Sequence, residues 1–312
     1  DTYTYKINEV TPAGDQYVNV LKDCYIELKV TVSPSGQLSL VNKEINGKTY
    51  SFTLKNKSDD SEVTDYSLYD YVFISVDNKT NTIKSIISTK IINPVQYNVD
   101  MRVTEKGFNS INDNTAVLPN TGIKIYRADD TNAKYEGNVE IDNEFNESPI
   151  KEGTYTYYFG QTSKASEKYF NPLEGKYIKI VAKVNGDGRV ALLNSGNEDN
   201  GYFEVYTGDA SQIHASDKKV TDNEILKNIH VGVSIVNNVS TIKVVVENPI
   251  QYELDINSVD TSNNFLKGVK FTVNRGKEEL FEEQSLFENY ATEDVEITES
   301  PRDPDTYTYY IT

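Results

Sequence analysis

The residue types that carry catalysis are scarce in this chain and their spacing does not gather them. Cys24 is the single cysteine, His214 and His230 are the two histidines, and there is one methionine. A zinc site draws on cysteines and histidines at short, regular spacing, and the two histidines have no cysteine near them. The carboxylates of Asp129-Asp130 and the Asn197-Glu198-Asp199 stretch offer oxygens to a cation. They lack the regular ligand spacing of a dedicated calcium loop, so they read as solvated turns. No glycine-rich phosphate loop, nucleophile elbow or paired-acid cleft is recognisable. These residues predict a non-catalytic protein with no catalytic, cofactor-binding or metal-binding residue.

Bulk composition narrows the class further. The 312 residues carry 31 Lys and Arg against 48 Asp and Glu, a net charge of −17. Such a balance argues against nucleic acid or an anionic membrane surface as partner, since both attract basic patches. No apolar run reaches the length of a membrane span, and no signal peptide opens the chain. The first residues fall inside a strand-like pattern, so the sequence reads as a mature piece or a cut fragment. The 23 tyrosines and 11 phenylalanines argue against disorder, because disordered chains lack aromatics. Tyr, Thr, Val, Ile and Asn dominate, which is strand and turn chemistry. One cysteine excludes an intrachain disulfide, as expected of a cytosolic protein or of a Gram-positive surface protein.

Self-similarity is the strongest signal. Thr2-Tyr3-Thr4-Tyr5 returns as Thr154-Tyr155-Thr156-Tyr157 and again as Thr306-Tyr307-Thr308-Tyr309, each 152 residues on. The same offset carries Tyr17 to Tyr169, Tyr25 to Tyr177, Gly36 to Gly188, Leu40 to Leu192 and Asn42 to Asn194. Asn93-Pro94-Val95-Gln96-Tyr97 returns as Asn248-Pro249-Ile250-Gln251-Tyr252, 155 residues later. Chance does not hold such a register, so the chain is a repeat array.

Inside each copy the period is two. Ile26, Leu28, Val30 and Val32 alternate with polar residues, then Pro34-Ser35-Gly36 turns the chain into Gln37–Val41. Ile178, Ile180, Ala182 and Val184 repeat the pattern, with Asn185-Gly186-Asp187-Gly188 as the turn into Arg189–Leu193. These are hairpins with one buried and one wet face. Further strands are expected at 50–55, 71–77, 83–92, 97–104, 122–127, 203–206, 231–236, 241–247, 252–257 and 268–273. Asp222 to Ile229 is the best helix candidate, and Glu278 to Tyr290 is ambiguous between helix and strand. The expected fold is all-β, a tandem row of antiparallel sandwiches of about 152 residues each with extra strands. The alternating tyrosines of the Thr-Tyr-Thr-Tyr strand are expected to pack in the core, with an exposed ligand platform as the other reading.

The order of these landmarks resembles a known family. A leading strand ends in an acidic residue (Leu254 to Asp260), and Leu266-Lys267-Gly268-Val269-Lys270-Phe271 follows. Then comes a Thr-Tyr-Thr-Tyr strand, trailed in the first copy by Glu9, Pro12 and Gly14, and a last strand ends in Asn-Pro. This is similar to the Cna protein B-type (prealbumin-like, transthyretin-like) domain of Gram-positive surface adhesins and pilins, over about half of each repeat. The resemblance sets the phase. Residues 98–250 form a complete repeat, 1–97 the later part of one before it, and 251–312 the opening part of one after it. Either the sequence is a window on a longer polypeptide, or ends of neighbouring molecules complete each other into a fibre. Thr-Tyr-Thr-Tyr at both ends favours the window, since mutual completion would duplicate that strand.

The resemblance also implies chemistry. Such domains join a lysine to an asparagine by a spontaneous isopeptide bond, helped by a buried acid. The asparagine position is kept at Asn93 and Asn248, but the acid is Glu9 in one copy and Gln161 in the next. The lysine position holds Val103 and Ser258. No such crosslink is therefore expected within 98–250. Leu118-Pro119-Asn120-Thr121-Gly122 matches a sortase sorting signal, yet Ile123-Lys124-Ile125-Tyr126 behind it reads as a strand, so the match is a coincidence. Cys24 invites a thioester, but its counterpart one repeat on is Lys176, and a partly buried structural thiol fits better. The expectation is a structural, extracellular repeat on a bacterial surface, a stalk or fibre whose partners are neighbouring copies in the same or adjacent chains. The other reading is an adhesin repeat that grips a host or cell-surface protein or glycan.

Overall fold

The computed structural model describes residues 1–79, 85–107, 117–139, 144–193, 201–277, 283–292, 295–302 and 306–312. Asn194, Asn197-Glu198-Asp199 and the first part of the ambiguous 278–290 segment lie outside them.

Regular structure among the described residues is strand, apart from one helical turn, α1 (Asn223–Leu226), and a 3-10 turn (Tyr66–Tyr71). The strands fall into three groups, each with its own apolar cluster. In the first group lie β1 (Thr2–Ile7), β2 (Cys24–Val32), β3 (Leu38–Leu40), β4 (Lys43–Ile45), β5 (Lys48–Tyr50), β6 (Thr53–Asn56), β7 (Val72–Asn78) and β8 (Ser85–Ile91). The second holds β9 (Val95–Glu105), β10 (Gly122–Arg127), β11 (Ala133–Asn138), β12 (Phe145–Ile150) and β13 (Gly153–Gln161). It continues with β14 (Lys176–Val184), β15 (Val190–Leu192), β16 (Glu204–Thr207), β17 (Ile229–Val236) and β18 (Val239–Asn248). The third comprises β19 (Ile250–Ile256), β20 (Lys270–Lys277), β21 (Glu283–Tyr290), β22 (Val295–Arg302) and β23 (Tyr307–Ile311).

In the second group two sheets face each other. One runs β11-β10-β13-β14-β15, with β16 also on β14, and the other β12-β9-β18-β17. Alternation decides which side chains meet. Val99, Met101 and Val103 of β9 and Ile242, Val244 and Val246 of β18 pack against Ile123, Ile125, Tyr157, Phe159, Ile178 and Ile180 of the other sheet. One detail departs from an all-antiparallel sandwich. β9 and β18 run parallel, Val246 beside Val103 and Asn248 beside Glu105. β18 carries a β-branched run, as strands covered on both faces do, whereas β9 alternates apolar with polar residues.

The other groups are built from the same parts. β1-β2-β3 with β6, and β7-β8, are the counterparts of β13-β14-β15 with β16, and of β17-β18. β19-β22 and β21-β20-β23 are the counterparts of β9-β12 and β11-β10-β13. The first group also contains the hairpin β4-β5. It turns on Asn46-Gly47, both at positive φ, a pair suited to a two-residue turn of that twist.

The helix candidate at 222–229 shrinks to a single turn. Asp222 caps it by accepting from Glu224 N–H at 2.9 Å, but β17 begins at Ile229 and leaves no length for more. The ambiguous segment resolves as strand from Glu283 onward, pairing with β20.

Candidate functional site

Two constructions recur in the copies, and each uses one of the sequence landmarks. The first is the joint between groups. Asn93-Pro94 leads straight into β9, and Asn248-Pro249 straight into β19. Proline has no N–H for a ladder, so its carbonyl carries the pairing there. Pro94 C=O accepts from Val18 N–H at 2.8 Å, and Gln96 N–H donates to Gln16 C=O at 2.9 Å. The Gln96 side-chain amide then reaches one residue further and donates to Asp15 C=O. At the second joint Pro249 C=O accepts from Phe170 N–H and Gln251 N–H donates to Lys168 C=O, both at 2.8 Å. The Gln251 amide donates to Glu167 C=O at 2.7 Å. Three hydrogen bonds thus lock each joint in the same pattern. Tyr17 bridges to Val95, as Tyr169 does to Ile250, and the Tyr17 ring packs on the second group's core. The Tyr169 hydroxyl donates to Glu105, and burial together with that bond pushes its pKa up to about 12.

The second construction lies inside the sandwich, where the two tyrosine landmarks meet. Tyr97 of β9 and Tyr157 of β13 touch hydroxyl to hydroxyl, although they belong to opposite sheets. The Tyr157 hydroxyl donates to Glu147 Oε1 at 3.1 Å, and Arg127 donates to Glu147 Oε2 at 2.6 Å. The Arg127 guanidinium lies over the Tyr155 ring, 5.4 Å from its centre. Tyr97 and Tyr157 are wholly buried, and burial first of all drives both hydroxyls far above their ordinary pKa. The third group repeats the set. Tyr252 meets Tyr309, Arg275 and Arg302 hold Glu299, and Arg275 lies over Tyr307 at 5.9 Å. Burial alone would raise the Glu299 carboxyl, but the bonds from Arg302 and Arg275 outweigh it and hold it below the usual range.

The core placement expected for the Thr-Tyr-Thr-Tyr tyrosines therefore holds for Tyr157, which is 0% exposed. Tyr155 and Tyr307 are half-buried under their arginines. In the first group Tyr3 and Tyr5 are 50% and 49% exposed, and among the described residues β1 pairs with β2 alone. Sequence reasoning missed Arg127, Glu147, Arg275 and Glu299. Their alternating neighbours do not single them out, and only a partly buried charge in a strand could have flagged them.

The positions implied by the family resemblance come together in the first group. Asn93 donates its side-chain amide to Glu9 Oε1, while Glu9 Oε2 and Asn93 Oδ1 have no partner. In the second group Asn248 is 0% exposed with neither side-chain atom partnered, and Gln161 donates to Ser163 C=O at 3.1 Å. Val103, at the lysine position, is buried in the core. A lysine does sit nearby, outside that position. Lys106 Nζ lies 2.8 Å from Glu247 and 2.9 Å from Asn228 Oδ1, with His230 Nε2 3.4 Å from the same carboxylate. Desolvation opposes the Glu247 charge, but the nearby His230, the Lys106 ammonium and the Gly107 N–H hold its carboxyl low, so this is an ion-paired cluster.

The remaining candidates are placed as follows. Cys24 is buried in the first core, its thiol 3.5 Å from Val20 C=O, and burial raises its pKa. In the sorting-signal match Leu118 and Thr121 are buried and Gly122 opens β10. Asp129 pairs with Arg127, and Asp130 caps its own turn at Asn132 and meets Lys134. His214 and His230 lie apart, the first at a turn closed by Asp217 and the second beside Glu247.

No family model matches the sequence. No curated protein matches it either. Among solved structures the chain is similar to the C-terminal fragment of pilus adhesin SpaC from Lactobacillus rhamnosus GG, at 14% identity with a TM-score of 0.25. That match covers 70% of this chain and 75% of that one. An iodide-soaked form of the fragment matches at 12% identity and a TM-score of 0.23, over 64% of this chain and 70% of that one. The larger structure of pilus adhesin SpaC matches at 12% identity and a TM-score of 0.26, over 100% of this chain and 36% of that one.

Proposed function

We propose that the chain is a structural, non-catalytic repeat segment of a long extracellular stalk or fibre on a bacterial surface. In this reading 98–250 is one whole repeat of Cna B-like type, flanked by the later part of a preceding repeat and the opening part of a following one. Its partners are neighbouring copies, in the same or adjacent chains. The observation that supports it most is the joint. A linker of nearly zero length, closed by the same three hydrogen bonds at Gln96 and at Gln251, is what a stiff array requires of every junction. A hinge would instead need free backbone at the boundary. No helix among the described residues is long and apolar enough to cross a membrane.

Small-angle scattering of the whole chain tests the reading. The wild type should scatter as a rod. The double variant Gln96→Ala, Gln251→Ala should broaden the distance distribution, each lost bond weakening a joint by about 1 kcal/mol. A wild-type chain that scatters as a compact globule, or already bends freely, would overturn the stalk.

A further inference from the structure

The strands at the margins of the second sandwich are guarded unequally. An edge strand offers free N–H and C=O groups to any other extended chain, and folded proteins guard such edges with charge, proline, short length or bulges. Among the described residues, β11 carries Lys134 and Glu136, and β12 carries Glu147 and Pro149. β15 is only three residues long, and β16 carries Glu204. β17 has none of these guards. Ile229-His230-Val231-Gly232-Val233-Ser234-Ile235-Val236 holds no Asp, Glu, Lys, Arg or Pro, and it pairs with β18 along its length without a register shift.

The phase of the ladder decides which of its groups stay open. Asn228 C=O accepts from Glu247 N–H at 2.8 Å, one step before the Ile229–Val246 pair. Bonded and non-bonded pairs alternate in an antiparallel ladder, so His230, Gly232, Ser234 and Val236 turn their backbone groups to β18. Val231, Val233 and Ile235 turn theirs outward, where no described residue bonds them. β15 meets this hairpin at Ser240, where Val190 N–H donates to the hydroxyl at 3.2 Å. His230 to Ser234 are partly exposed, and Ile235 and Val236 are 56% and 65% exposed. The counterpart strand β7 is closed at the same place. Val72 pairs with Ile91 as Ile229 pairs with Val246, so Asn78 stands level with Ile235. Asn78 bonds both backbone groups of Leu38 through its side chain, and Asp77 beside it adds a carboxylate.

Charge and side-chain pattern select the partner. A chain of net charge −17 repels its own copies wherever carboxylates face each other, so two copies must meet on an uncharged strip. β17 is such a strip, and it is complementary to itself. With a two-fold axis at Gly232, Val231 of one copy opposes Val233 of the other. Open backbone groups then face open backbone groups, and the two central pairs close about four hydrogen bonds. Ile235 opposes Ile229, apolar against apolar, and Ser234 opposes His230. Gly232 opposes itself, where no side chain holds the backbones apart. We infer that β17 is a lateral contact between copies of this chain, made by antiparallel pairing of two β17 strands about Gly232. The inference rests on the stalk reading for its partner, a neighbouring copy. One weak contact per repeat then adds up along an array, because each contact raises the effective concentration of the next.

Sedimentation velocity of the whole chain, from about 1 μM to about 1 mM, tests it. The wild type should pass from monomer to dimer, and Gly232→Lys and Ile235→Lys should each weaken dimerisation about tenfold or more. Ile235 is exposed, so its variant keeps the fold even if Gly232→Lys does not. The register has its own test. Cα atoms in a non-bonded pair stand about 4.5 Å apart, a distance that a disulfide spans. Gly232→Cys should therefore join two copies under a mild oxidant, whereas two Ser234→Cys residues, about 13 Å apart in this register, should not. The buried Cys24 does not compete. A chain that stays monomeric overturns the inference. So does a dimer that both lysine variants leave unchanged, or equal crosslinking of the two cysteine variants. A monomer that still scatters as a rod would lose the lateral contact and keep the stalk, so the two readings fail separately.

Discussion

Glu147 is the group on which the buried tyrosine network depends. It is 4% exposed and accepts from Arg127 at 2.6 Å and from Tyr157 at 3.1 Å, with Lys134 at 3.7 Å. Glu147→Gln keeps its size but removes the charge, leaving the mostly buried Arg127 to Asp129 alone. Breaking a buried ion pair from one side costs about 3–5 kcal/mol, because the other charge stays buried without compensation. Tyr157→Phe should cost less, about 1–3 kcal/mol, since it orphans one carboxylate oxygen and the Tyr97 hydroxyl. Tyr97→Phe should cost about 1 kcal/mol, because Tyr157 still donates to Glu147. Tyr5 occupies the Tyr157 position in the first group yet is half exposed, so Tyr5→Phe should lie within about 0.5 kcal/mol of wild type. The chain has three cores, so a single unfolding midpoint would blur these differences. Hydrogen exchange of the β9 and β13 amides in the intact chain reads them locally. A Glu147→Gln chain that exchanges like wild type, or a Tyr5→Phe effect as large as that of Tyr157→Phe, would refute the reasoning.

Asp209 gives an acid limit. Burial would raise its carboxyl, but the bonds from Lys124 and Ser211 pull it down to about 2, below its unfolded value of roughly 3.9. Its contribution is therefore present above about pH 4 and lost as pH falls toward 2, and an acid titration followed by circular dichroism should show stability declining through that window. Asn237 and Asn238 both sit at positive φ in the β17–β18 turn. Replacing both with Ala should lower the unfolding free energy by about 1–2 kcal/mol in total, since Ala tolerates left-handed backbone less well than Asn, in urea melts followed by exchange of β18. The buried Cys24 thiol should resist iodoacetamide in the native chain and react once guanidinium is added, and rapid native alkylation would contradict its burial.

The strand periodicity and the hairpins at Pro34–Gly36 and Asn185–Gly188 were legible because each is a local pattern. What the landmarks do was not. Tyr97 and Tyr157 are 60 residues apart and meet across the core, a relation no period encodes. Arg127 and Arg275 also lie 148 residues apart, off the 152-residue register that exposes the other repeats. β11 and β12 escaped notice because Ala133–Asn138 is polar and Phe145–Ile150 contains Pro149, both marks of sheet edges. The parallel pairing of β9 with β18 followed no sequence signal, since alternation marks which residues share a face and not the direction in which a strand pairs.

Comparing the copies separates what the architecture holds fixed from what it lets vary. The joint glutamines keep residue type and bonding pattern, and the Tyr-Tyr-Glu-Arg set keeps its residue types with the Tyr–Tyr and Arg–Glu contacts in the second and third groups. The pair that the family resemblance ties to crosslinking does not, being Glu9 with Asn93 in one copy and Gln161 with an unpartnered Asn248 in the next. If a covalent tie were needed in every repeat, substitution of the acid and the absence of an amine at Val103 would leave the second sandwich the weakest. Yet that sandwich joins two complete sheets around the most extensive apolar cluster, pinned across its middle by hydroxyls and a buried ion pair. Packing and the Tyr97-Tyr157-Glu147-Arg127 network hold these two sheets together. What both joints share is a glutamine long enough to reach back across the boundary.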